Sequence, residues 1–164
     1  MSDNLEEFLE ITSEPAKIAI LIIGYSGDIK STRLQKLALV AKGILDGKVL
    51  TSHGAYLFGG YSDDIDESTE TMRSEGFLNY EVGKGFYLSD DGSKLFSCLA
   101  REEPKLNDVA EKVSEMFKGL SDRQVTAITY KLFPQLTENS IIKEEMTRIG
   151  ENINVETFRL KDKQ

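Results

Sequence analysis

The chain has 164 residues, of which 40% are apolar and 29% charged, and a formal net charge of −8. That balance lies outside the disordered regime, and a chain of this length buries about 70% of its unfolded surface, so no disulfide or structural metal is needed to hold a core. The only cysteine, Cys98, has no internal partner, the N-terminus lacks a basic leader, and the longest apolar run, Ile18 to Ile23, is too short for a bilayer; a cytoplasmic location is expected.

Residues 1–13 read as an acidic leader in which Leu5, Phe8, Leu9 and Ile11 are spaced to dock as a short helix. Glu14-Pro15 opens a first helix, since proline is tolerated in the first turn, and Ile18, Leu21 and Ile22 carry it to about Gly24. Tyr25 to Asp28 is turn chemistry. Ser31 or Thr32 caps a second helix, with Leu34, Leu37, Ala38, Ala41 and Ile44 at helical spacing and an end near Asp46-Gly47. The glycine- and aromatic-containing stretch from Lys48 to Tyr61 reads as a loop with room for a short strand.

Ser62 is placed to cap a third helix, Asp63 to Glu75, whose first-turn acids suit the positive helix end. Ile65 and Met72 point inward on this reading, and Gly76 is its terminator. Phe77, Leu78, Tyr80 and Val82 form one β-prone run and Phe86 to Leu88 a second. Gly83-Lys84-Gly85 between them is the spacing of a hairpin. Ser89 starts a helix through Leu95, Phe96 and Leu99 that ends before Pro104. Leu106 to Phe117 is amphipathic, Ser121 caps a helix through Val125, Ile128 and Leu132, and Thr137 opens a last one to Ile149. Val155 to Leu160 is β-prone and is either an added strand or part of a tail.

The residues available for chemistry are few. With a single histidine, His53, and a single cysteine, Cys98, zinc-ligand spacings are absent. No G-x-S-x-G elbow accompanies His53, which sits in ordinary loop sequence, and Cys98 lies on an apolar helix face as a small core residue. Gly83-Lys84-Gly85 lacks the frame of a phosphate loop, and Asp63, Asp64, Asp66 and Glu67 lack the alternation of a calcium loop. No enzyme, cofactor or metal is expected.

Charge is unevenly distributed. Residues 1–16 carry five acids and no base, residues 17–48 six bases against two acids, and residues 49–104 eleven acids against four bases. The remainder balances, so one basic segment lies between acidic neighbours.

Several short motifs follow one another in a recognisable order. Thr32-Arg33-Leu34-Gln35-Lys36-Leu37 resembles the signature that opens the second helix in prokaryotic winged helix-turn-helix proteins of the YwgA-like and Panacea antitoxin groups. Phe58-Gly59-Gly60-Tyr61-Ser62 is similar to their approach to the third helix, with Gly60 where proline is frequent. Glu75-Gly76-Phe77-Leu78 resembles the step into the wing, and Tyr87 to Gly92 the wing's end with Leu88 shifted by one. Tyr130 to Pro134 followed by Asn139-Ser140 is similar to the groups' C-terminal segment.

The resemblance implies a mainly α protein with a small β-hairpin: a winged helix-turn-helix core at 14–103, a C-terminal helical extension at 104–150, and a tail or added strand at 151–164. It also implies a regulator of transcription-regulator-like or antitoxin-like type. In the usual docking the third helix enters the DNA major groove. Here that helix presents Asp63, Asp64, Asp66, Glu67 and Glu70 against Arg73 alone, which opposes phosphate. A protein partner is therefore expected to be the main one, met by this acidic face. The alternative is direct DNA binding through Lys84 at the wing tip and Lys30, Arg33, Lys36 and Lys42 of the second helix, against the plain reading of a solvated helix face. A homodimer pairing the basic helix with the acidic one is a further possibility.

Overall fold

The computed structural model describes residues 12–46, 53–56, 59–132 and 143–151. Ser13 has extended backbone and its Oγ accepts from the Ala16 amide at 3.4 Å, starting helix α1 at Glu14–Ser26 with a proline in the first turn. Ile18 to Ile23 are each no more than 1% exposed. A helix apolar on all sides must be enclosed, and α1 is the central rod of the molecule.

Helix α2 (Ser31–Asp46) packs beside it through Leu34, Leu37, Ala38 and Ala41. Two short strands follow, β1 (His53–Tyr56) and β2 (Gly59–Ser62), paired antiparallel with His53 opposite Ser62 and Tyr56 opposite Gly59. The 48–61 stretch thus holds a strand pair, not a loop with at most one strand. Gly54, Gly59 and Gly60 have low strand propensity, which is why side-chain patterning is silent there.

Helix α3 (Asp63–Ser74) turns Ile65, Thr69 and Met72 inward. It ends in paired bonds, Phe77 N–H to the Met72 carbonyl at 2.8 Å and Gly76 N–H to that of Arg73 at 3.1 Å, with Gly76 at φ +87°. This is the Schellman arrangement, and it turns the chain directly into strand β3 (Leu78–Glu81). β3 pairs antiparallel with β4 (Gly85–Leu88), Leu78 opposite Leu88 and Glu81 opposite Gly85, around a turn closed by Lys84 N–H to the Glu81 carbonyl.

Ile29, between α1 and α2, bridges to Phe86 on the other side of β4, each amide donating to the other's carbonyl at 3.0 and 2.8 Å. The approach is close enough that a Cβ on Gly85 would lie 2.3 Å from the Ile29 carbonyl oxygen.

Helix α4 (Asp90–Glu102) is capped by Ser89, whose Oγ accepts from Gly92 N–H at 3.0 Å and donates to the Gly76 carbonyl at 2.6 Å. Its Leu95 and Leu99 are buried, and Phe96 meets Tyr25 edge-on with ring centroids 5.0 Å apart. Helix α5 (Pro104–Phe117) lays Leu106, Val109, Ala110, Val113 and Phe117 into the core around α1. Helices from both segments, 14–103 and 104–150, therefore contribute to the main core.

Helix α6 (Asp122–Leu132) begins with a reciprocal capping box. Ser121 Oγ accepts from Gln124 N–H at 3.1 Å and Gln124 Oε1 from Ser121 N–H at 2.9 Å. Its Val125 and Ile128 join the main core, while Ala127 and Tyr130 form a satellite cluster with Ile149 of α7 (Lys143–Gly150).

The protein is thus mainly helical with small antiparallel hairpins. Among the described residues no helix is long and apolar enough to cross a membrane. The leader's Leu5, Phe8, Leu9 and Ile11, the proposed helix start at Thr137, the Asn139-Ser140 motif and the Val155–Leu160 run lie outside the described residues.

Candidate interaction surface

The cations of α2 do not make one solvated strip, which corrects the sequence reading. Arg33 is spent on the fold. Its Nη1 donates to the Leu120 carbonyl and to Asp122 Oδ1, both at 2.9 Å, and its Nη2 to the Phe117 carbonyl at 2.6 Å. One guanidinium thus satisfies carbonyls at the C-terminal end of α5, where positive charge is favoured, and ties them to the start of α6.

Lys36 is 2% exposed, and burial pushes its ammonium pKa down to about 8. Lys42 pairs with Glu14 of α1, and Lys17 pairs with Glu103 between α4 and α5 at 2.9 Å. A dimer built on a basic α2 surface therefore lacks its cationic half.

Of the five cations singled out in the sequence, Lys30 and Lys84 are exposed. They come from distant segments to one place: the Lys30 backbone runs against Gly85, the residue after Lys84. Lys84 holds its Nζ 4.8 Å from the centroid of Tyr87. At the same tip Val82 is 90% exposed and Tyr80 45%, with Arg73 standing 5.3 Å over the Tyr80 ring. Val82 reads as a strand residue from β propensity alone. Its position beside Gly83 was the available sign that it belongs to the turn.

The acids behave as expected of a solvent-facing helix. Asp63, Asp64, Asp66, Glu67 and Glu70 are all exposed on α3, and Asp64, Asp66, Glu67 and Glu70 form no ion pair among the described residues. Thr69 is buried between them, its hydroxyl donating back to the Asp66 carbonyl at 2.8 Å, so a polar residue sits inward at no hydrogen-bond cost. Between α3 and the first turn of α1 lies a groove of about 440 Å³, bordered by Asp64, Glu67, Ser68 and Thr71 and floored by Pro15 and the edges of Ala16 and Met72. No local pattern announces this groove, because its walls come from helices that only folding brings together.

His53 lies in β1 and half-buried Cys98 in α4, where Arg101 Nη2 stands 3.7 Å from its sulfur. Among the described residues no group of three or more histidine, cysteine, aspartate or glutamate side chains is placed to hold a metal. Comparison with protein-family models, curated proteins and solved structures gives no match to this chain.

Proposed function

We propose that this chain is a non-catalytic winged-helix regulatory protein that acts mainly by binding another protein, in a transcription-regulator-like or antitoxin-like role. The fold assignment is supported by the order α1, Ile29 bridge, α2, α3, β3–β4, in which the bridge supplies the third strand position of a wing sheet. The β1–β2 pair is an insertion between α2 and α3 on this reading.

One observation carries the choice of partner. The helix that would enter a major groove presents five exposed carboxylates, with Arg73 engaged at its far end over Tyr80. Phosphates brought to that face meet like charge, and lowering the salt makes the repulsion stronger.

Direct DNA contact is the second reading, favoured by the convergence of Lys30 and Lys84 at the wing. Two cations neutralise few phosphates, so any such binding has a shallow salt dependence. Titration of the full chain against a duplex at about 50 mM and about 200 mM salt separates the readings. No binding at the lower salt is expected. Tight binding that is lost in Lys84→Ala would replace the protein-binding reading with the DNA one.

A further inference from the structure

Resting on the protein-binding reading, we propose that the groove between the first turn of α1 and the outer face of α3 is the docking site for a cationic peptide segment of a partner protein. An apolar side chain of that segment seats against Pro15, beside the almost wholly buried Ala16 and Met72, and a lysine or arginine beside it pairs with Asp64 and Glu67. Shape and charge are separate observations here. The groove has a volume in the range of side-chain and small-ligand pockets, with an apolar floor that acids alone do not create. Its rim carries two carboxylates and no cation.

Three of the protein's own cations near α1 and α2 are committed elsewhere. Arg33 holds the α5–α6 turn, Lys42 holds Glu14, and Lys17 holds Glu103. Anionic occupants are disfavoured by Asp64 and Glu67. The same holds for residues 1–11, which precede the groove residue Thr12 and carry Asp3, Glu6, Glu7 and Glu10 without a base. A positively charged segment with one aliphatic anchor is the chemistry that matches both parts of the surface.

The test is fluorescence anisotropy with the full chain and a labelled amphipathic peptide of lysine and leucine, alongside its glutamine-for-lysine counterpart. The lysine peptide is expected to bind and the glutamine peptide to bind at least fivefold more weakly. Asp64→Asn with Glu67→Gln should weaken binding on the order of fivefold or more, as two exposed ion pairs allow. Glu75→Gln with Glu81→Gln, the same charge change outside the groove, should leave it within about twofold.

Thr71→Trp or Ser68→Trp fills the groove without altering charge and should abolish binding, with unchanged melting temperature showing that each variant folds. No binding of the lysine peptide, equal losses in the two charge-neutralised pairs, or full binding by both tryptophan variants would each overturn the inference. A partner protein that still binds Thr71→Trp would overturn the groove while leaving the protein-binding reading in place. Duplex binding in the titration above would remove that reading itself.

Discussion

Replacing Gly85 by alanine tests whether the β3–β4 hairpin is held to the body of the protein by its close approach to Ile29. Gly83 provides the internal control, since both glycines have positive φ, +87° and +96°, but only Gly85 has a neighbour in the way. At Gly83 the new methyl meets nothing within 4 Å. Its cost is the positive-φ penalty of about 1–2 kcal/mol, reduced by the roughly 0.4–1 kcal/mol that a less flexible unfolded chain returns. A net loss of about 1 kcal/mol is expected.

At Gly85 the methyl would sit 2.3 Å from the Ile29 oxygen, so the two backbones must separate and both Ile29–Phe86 hydrogen bonds are lost. At about 0.5–1.5 kcal/mol each, these add roughly 1–3 kcal/mol. Gly85→Ala should therefore lower Tm by on the order of 5–10 °C and Gly83→Ala by about 2–4 °C, followed by circular dichroism. Amide hydrogen exchange at Ile29 and Phe86 should accelerate only in Gly85→Ala. Equal losses in the two variants, with the Ile29 amide still protected, would refute the reasoning.

Two further substitutions address the cations. Arg33→Lys keeps the charge but not the fork that reaches Phe117, Leu120 and Asp122 together. It should cost about 1–3 kcal/mol in urea unfolding with the m-value unchanged. Lys36 has a folded pKa near 8, below its usual 10.5, because burial disfavours the ammonium. Between those values the unfolded chain binds the extra proton, so stability rises with pH across that window and the burial cost stands in full below it. The stability of the wild type should therefore gain on the order of 3 kcal/mol relative to Lys36→Met between pH 7 and pH 10.5. Parallel pH profiles for the two proteins would contradict this.

How much was legible in the sequence depended on whether the signal was local. The end of α3 and the β3–β4 hairpin were readable because Gly76 and Gly83 mark conformations that few other residues adopt. Ser89 and Ser121 announced their helices by the same short-range chemistry. The β1–β2 pair was not readable, since its glycines pack too little side chain to make a pattern.

The α2 cations failed for a different reason. Helical spacing places Arg33, Lys36 and Lys42 off the apolar stripe of that helix, but whether their positions meet water or α5, α6 and α1 is decided by residues far along the chain. The acidic face of α3 was legible because its alternation with Ile65, Thr69 and Met72 is complete within one helix.

The enclosure of α1 sets an order of events during synthesis. Ile18 to Ile23 leave the ribosome well ahead of α5, which completes their cover and ends only at Phe117. At about 5–20 residues per second, the most apolar segment of the chain waits on the order of ten seconds for its last wall. Nascent chains halted before Phe117 expose it, and these are the species on which a chaperone or a protease would act.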